Sequence, residues 1–233
     1  MTWTRHREAP AHDRTWRAGD FTGKSMQAAA QTLSRLARAG EISRIGKGIY
    51  YRGRETPFGR SRPSPALLRS IAEERAAIFP AGIAAAAMLG LTTQTPRVSE
   101  VSTTASSLPR QLMGADTIIH TRRPSAWERL TPLETSILET LRSGGSLSEL
   151  SEQETVTRML ELIREESRYE RLARAAATEP PRVRAMLGAI GETLGKDTGK
   201  LRKSLNALSR FEFGLLRGIP TAANWYAKKA PIS

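Results

Sequence analysis

The stretch Ser43 to Gly53, SRIGKGIYYRG, constrains the fold more than any other part of the chain. Two short β-prone runs, one ending at Ile45 and one opening at Ile49, flank a three-residue Gly46-Lys47-Gly48 turn with a cation at its tip. The glycines permit the positive φ that a tight turn needs, and the β-branched and aromatic residues beside them favour extended structure. A hairpin of this size is not stable alone in water, so another element must pack against it. The residues just before it supply that element. Ser25 to Ala39, SMQAAAQTLSRLARA, has high helix propensity, with Ser25 placed as N-cap and Gly40 as the C′ stop. At about 3.6 residues per turn, Ala29, Leu33, Leu36 and Ala37 gather on one side, while Gln27, Gln31, Arg35 and Arg38 fall largely opposite. One face packs and the other is polar and cationic.

A helix followed by a hairpin is what a winged helix presents: a recognition helix for the major groove and a β-ribbon wing whose basic tip rides on phosphates. A helix N-terminus offers free N–H groups and the positive end of the dipole to the nucleic-acid backbone, and the amides of Gln27 and Gln31 suit adenine edges. Lys24 and Arg35 reach for phosphate or guanine. Lys47 is held out between two glycines, with Arg44 and Arg52 as further phosphate partners. The expected DNA-facing set is therefore Lys24, Ser25, Gln27, Gln31, Arg35, Arg44, Lys47 and Arg52. The plainer alternative is that helix and hairpin pack for stability alone, as in winged helices that bind only protein.

Charge decides between the two. The net charge is +13, but residues 1–62 carry 13 Lys and Arg against 5 Asp and Glu, and residues 134–170 carry 4 against 9. A basic first quarter fits a polyanion, most often nucleic acid, and the acidic middle implies a second surface with a different task.

Beyond the hairpin, Gly53 to Pro63 is rich in Gly, Pro and Arg and reads as a connector. Ser64 and Pro65 open a helix expected to reach about Ala77, and a small-residue helix follows over Ala81–Leu89. Val98–Thr104 and Thr117–Arg122 read as strands. Thr131 and Glu134 form a capping box leading into Leu133–Leu141; Ser151 and Glu154 form another for a helix to about Glu166. Further helices are expected over Tyr169–Ala177, Pro181–Leu194 and Lys200–Leu208. At 233 residues, two domains are the better expectation. The fold class that follows is α+β and mainly helical: an N-terminal winged helix-turn-helix over residues 1–60 and a larger mixed α/β domain over 61–233.

Several chemistries find no support. The absence of cysteine removes disulfides and thiolate metal sites, and His6, His12 and His120 lack ligand spacing, so neither a metal nor a cofactor is expected. The basic N-terminus has no apolar core of a secretory signal. The longest apolar run, Ala76 to Leu91, is broken by Pro80, Gly82 and Gly90 and is too short for a bilayer, so no membrane partner and a cytoplasmic location are expected. Gly19-Asp-Phe-Thr-Gly23-Lys24-Ser25 and Gly191-Glu-Thr-Leu-Gly195-Lys196 end like phosphate-binding loops but have three residues between the glycines where four are needed. Glu152 and Glu154 could hold magnesium for nucleotidyl transfer if they shared a face, but they fall in a helix first turn, where acids are expected anyway. No catalytic residue is assigned and the chain reads as a non-enzyme.

SMQAAAQTLSRLARAGEISRIGKGIYY (Ser25–Tyr51), GIAAAAMLGLTTQTPRVSEVST (Gly82–Thr103) and LTPLETSILETLR (Leu130–Arg142) together resemble the AbiEi-type antitoxins of type IV toxin–antitoxin systems. The resemblance covers about a quarter of the chain and lies within its first 142 residues. It implies an N-terminal winged helix that binds inverted repeats of double-stranded DNA in its own promoter, and a C-terminal domain that opposes a co-encoded toxin of the nucleotidyltransferase fold. The helix residues Ser25, Gln27, Gln31 and Arg35 and the wing residues Arg44 and Lys47 take the DNA-facing positions. In type IV systems direct toxin contact is not required. Such winged helices normally begin with an apolar helix, which MTWTRHREAPAHDRTW makes poorly; a short first helix anchored by Trp3 and Trp16, or a different start to the chain, is the expectation there. The alternatives are a stand-alone winged-helix repressor and a nucleic-acid-processing enzyme that uses the winged helix to dock.

Overall fold

Four helices of this chain start on a side-chain cap. In the computed structural model, which describes residues 14–228 apart from Arg75, Pro109 and Ala115, the Ser25, Ser64, Thr131 and Ser151 hydroxyls each accept from the backbone N–H three residues on. Each pairing satisfies one of the donors a helix start leaves open. Trp3, one anchor of the expected first helix, lies outside the described residues, as do His6 and His12; the other anchor, Trp16, stands in a strand and not in a helix. The fold is α+β and mainly helical. The chain groups into two units, residues 1–75 with 108–115, and residues 76–107 with 116–233. A division after residue 60 does not coincide with that grouping, because the next helix and a short later one pack together within the first unit.

The first unit opens with β1 (Arg14–Trp16), a 3-10 turn over Ala18–Asp20 and α1 (Met26–Arg38). It continues through β2 (Ser43–Gly46) and β3 (Ile49–Arg52). Both flanking strands run antiparallel to β3, giving the order β1-β3-β2. Trp16, Leu33, Leu36, Ile42 and Tyr50 form the core between helix and sheet, which is the support the hairpin required. The expected connector holds a second small hairpin, β4 (Glu55–Thr56) with β5 (Gly59–Arg60). Its stem closes where the Ser61 carbonyl lies so near Gly53 that a Cβ there would sit 2.1 Å away. The helix α2 (Pro65–Glu73) ends short of the expected Ala77.

In the second unit β6 (Ile78–Pro80) pairs antiparallel with β7 (Glu100–Thr103), and β7 pairs in parallel with β8 (Ile118–His120). Between β6 and β7 lies α3 (Gly82–Met88), and between β7 and β8 the chain leaves to contribute α4 (Arg110–Met113) to the first unit. The helices α5 (Pro132–Ser143), α6 (Glu152–Ile163), α7 (Glu166–Ala176), α8 (Pro181–Thr193) and α9 (Gly199–Lys203) follow. The helix α6 stops three residues before the expected end; Arg168 Nη1 takes the open Leu162 carbonyl at 2.5 Å. A shorter α9 also has a local cause: Asn206 accepts the Leu208 N–H at 2.9 Å, a side-chain bond that competes with continued helix.

The most buried of the described helices is α8, where Val183 and every residue from Ala185 to Gly191 are excluded from solvent. Over Ala185–Gly191 the helix carries no polar side chain, as suits a core position. Two of its glycines exist for close approach: a Cβ on Gly188 would lie 2.1 Å from the Trp225 ring, and one on Gly191 would lie 2.3 Å from the Tyr169 hydroxyl.

Candidate nucleic-acid interface

The helix α1 is fixed at its start by a side-chain cap and at its end by backbone bonds. At its start Ser25 Oγ accepts from Ala28 N–H at 3.2 Å. At its end Gly40 takes φ +73°, with Gly40 N–H bonded to the Ala37 carbonyl at 3.1 Å and Glu41 N–H to the Leu36 carbonyl at 3.0 Å. That pair of bonds is a Schellman motif, which turns the chain sharply into β2. Ala29, Leu33 and Leu36 are buried, while Lys24, Ser25, Gln27, Gln31, Arg35 and Arg38 are exposed. No acid interrupts α1.

At the other side of the proposed surface, Gly46 pairs with Ile49 and belongs to the strand, so the turn is the two-residue Lys47-Gly48 and not three residues long. Only Gly48 uses positive φ, at +72°. The ladder slips between Arg44 and Gly46, and Arg44 Nε donates to the Gly46 carbonyl at 3.3 Å. Such an irregularity twists the ribbon. Lys47 and Arg44 are both exposed. Arg52 stands apart from them: it is half-buried at the end of β3 away from the turn, opposite Arg14 on β1. The Arg14 guanidinium lies 5.0 Å from the centre of the Trp16 ring.

The acids of this unit are largely engaged elsewhere. Asp20 caps the Arg17 N–H at 2.7 Å, Glu55 pairs with Arg60 at 2.5 Å, Glu73 with Arg69 at 3.1 Å, and Glu74 with Arg17. Met26 escaped the sequence reading. A heptad before Leu33, it falls by period with the core face, yet 66% of its surface is exposed because it leads the first turn past the packed layer. The backward tilt of helical side chains was the signal that could have found it.

The second unit has its own concave site, a cavity of about 210 Å³ whose walls include Gly82, Glu100, His120, Arg123, Glu139 and Arg142. Its charged groups are paired with one another or with a neighbour: Glu100 with His120 at 2.5 Å, Arg123 with Glu139 at 2.7 Å, and Arg142 with Glu179 at 2.7 Å. The carboxylates considered for magnesium also have partners. Glu152 meets Arg217 at 2.9 Å, and Glu154 caps its own helix through Ser151. No cluster of three potential metal ligands occurs among the described residues. Lys196, from the second loop-like motif, ends α8 and bridges to Glu166 at 2.5 Å. No helix among the described residues is long and apolar enough to cross a membrane.

No protein-family model matches the chain. No curated protein matches it either. It is similar in structure to the RV2827C protein from Mycobacterium tuberculosis, with 18% sequence identity, a TM-score of 0.43, and coverage of 84% of this chain and 78% of that one.

Proposed function

We propose that this chain is a DNA-binding antitoxin of the AbiEi type, which represses its own promoter through a winged helix in its first unit and counteracts a toxin of the nucleotidyltransferase fold. The observation that carries the DNA-binding part is the joint exposure of Lys24, Gln27, Gln31 and Arg35 along α1 and of Arg44 and Lys47 at the adjoining hairpin, on a helix without acids. A cationic helix face and a basic ribbon tip are the parts that duplex recognition uses, one for base edges and one for phosphates. The sheet order β1-β3-β2 behind α1 gives the ribbon a rigid base.

The antitoxin part rests on the resemblance of Ser25–Tyr51, Gly82–Thr103 and Leu130–Arg142 to that family. The acidic run 134–170 invites contact with a toxin, although neutralisation in such systems does not need it. The experiment has two arms. The chain should bind a duplex from its own promoter more tightly than random duplex, with an affinity that falls steeply with salt. Co-expression with the product of the neighbouring gene should relieve growth arrest. Promoter binding without relief of arrest identifies a stand-alone repressor, and absence of duplex binding overturns the proposal.

A further inference from the structure

The hairpin of β4 and β5 buries none of its own residues. Every residue from Glu55 to Arg60 is exposed, and Phe58, in the two-residue turn, is 100% exposed. Strands of two residues do not pair stably on their own in water, so local bonds must fix this ribbon. At the stem Arg54 N–H donates to Ser61 Oγ at 2.8 Å, and Ser61 N–H to the Arg54 carbonyl at 2.9 Å. At the tip Thr56 Oγ1 accepts the Phe58 N–H at 3.2 Å and donates to the Gly59 carbonyl at 2.5 Å. The ribbon is thus held by its own bonds and presents Pro57 and Phe58 to solvent.

An aromatic side chain wholly in solvent contributes no burial to the fold. The charge around it narrows what it can meet. Residues 52–62 carry Arg52, Arg54, Arg60 and Arg62 against the single acid Glu55, and that acid is paired with Arg60 at 2.5 Å. Guanidinium forks match phosphate oxygens, so the complement is a polyanion, and one whose flat faces can receive a ring is a nucleic acid. An anionic lipid surface shares the charge but rewards apolar area, of which two side chains offer little. Size narrows the partner further. Paired strands lie about 4.8 Å apart and the minor groove is about 6 Å wide, so a bare two-residue turn fits there while arginines of the stem meet the phosphates of its rim. Proline and phenylalanine are both among the apolar side chains that wedge between base steps from that groove.

We infer that the β4–β5 hairpin is a second DNA-contacting ribbon, which inserts Phe58 between base pairs from the minor groove and kinks the duplex, with Arg54 and Arg62 on the flanking phosphates. This rests on the DNA-binding reading above. The test uses the full chain and a duplex from its own promoter, with 2-aminopurine in place of each adenine in turn and a fluorophore at each end. Saturating wild-type chain should raise 2-aminopurine fluorescence at a pyrimidine–purine step, the kind most easily unstacked, and should shorten the end-to-end distance. Phe58→Ala should bind about ten-fold more weakly, the size of one lost base–aromatic stack, with both signals gone at saturation and the salt slope unchanged. Phe58→Leu should keep the kink, because leucine also serves as a wedge. Arg62→Ala should keep the kink and reduce the salt slope by about one. Thermal unfolding should be unchanged in Phe58→Ala, since the ring is exposed. Duplex binding with neither signal, or a Phe58→Ala protein that unstacks and bends the duplex as wild type does, overturns the inference and leaves DNA binding intact. So does Phe58-dependent binding to phosphatidylglycerol vesicles or to single strands without a kink in the duplex. Absence of any duplex binding overturns the DNA-binding reading and the inference with it.

Discussion

The Trp127 indole N–H donates to Glu179 Oε1 at 2.7 Å, and both side chains are shut off from solvent. Arg142 Nε lies 2.7 Å from the other carboxylate oxygen, as a charge pair without the alignment of a hydrogen bond. The carboxylate thereby joins three distant parts of the second unit: the 3-10 turn with Trp127, the end of α5 and the approach to α8. Glu179→Ala leaves the indole and the guanidinium without their acceptor, and should cost about 3–5 kcal/mol. Glu179→Gln keeps an acceptor for the indole and should cost less. Urea unfolding followed by tryptophan fluorescence measures both; equal losses would mean that the indole bond contributes nothing.

Gly188 sets a steric limit in the same unit. A methyl at this position would lie 2.1 to 2.4 Å from three carbons of the Trp225 ring, which is fully buried and tied to Glu192 through its indole N–H at 2.8 Å. Alanine favours the helix by about 1 kcal/mol. Overpacking against a ring that cannot retreat costs about 1–3 kcal/mol and can exceed that range. Gly188→Ala is therefore expected to lower the unfolding midpoint. Gly19→Ala provides the contrast, since nothing lies within 4 Å of a Cβ there. Denaturant titrations of the two variants should separate clearly.

Local chemistry was readable in the chain and distant pairing was not. Ser25, Ser64, Thr131 and Ser151 announce helix starts because an N-cap acts over three residues, and Gly40 ends α1 through its own positive φ. By contrast, Ile78–Pro80 is too short to show alternation and ends in proline, so only its pairing with Val101–Thr103 makes it a strand. The regrouping of α2 and α4 into the first unit likewise depends on packing. At the candidate interface, helical period placed Gln31 and Arg35 outward, where they lie. The exposure of Met26 went unread, because periodicity describes a helix surrounded by its core and not its first turn. Residue type alone grouped Arg52 with Lys47, while the strand carries the two to opposite ends.

Acid should weaken the second unit through Glu134. Burial pushes this carboxyl up, but the Thr131 backbone N–H, Arg171 and the Thr131 hydroxyl together hold it below the ordinary value of 4.5. Arg171 Nε approaches it to 2.7 Å, and only 1% of the Glu134 side chain is exposed. A carboxyl whose folded pKa is depressed contributes stability above its unfolded pKa and loses it as pH falls through the folded one. Glu134→Gln keeps the capping box but removes the charge. It should therefore cost about 1.5–3 kcal/mol at neutral pH, the range for hydrogen bonds to a charged group. The difference from wild type should shrink as pH drops below about 4.5. Thermal unfolding between neutral and acidic pH checks this, and a pH-independent difference would show that shape and not charge is responsible.

Lys47 and Gln31 should separate the two kinds of DNA contact. Lys47 is exposed in a turn fixed by Gly48; if the proposed DNA binding holds, its ammonium is expected to meet phosphate whatever the sequence, and each phosphate neutralised releases about 0.9 of a counterion. Lys47→Ala is expected to weaken promoter and random duplex alike and to reduce the slope of log affinity against log salt by about one. Gln31 carries no charge and faces outward from the middle of α1, so Gln31→Ala should leave that slope unchanged while costing about 1–3 kcal/mol on the promoter and little on random duplex. Fluorescence anisotropy at several salt concentrations reads both quantities at once. An unchanged slope for Lys47→Ala removes the wing from the interface. Equal losses on both duplexes for Gln31→Ala remove base reading from the helix, because a residue that reads sequence must lose more where the sequence is right.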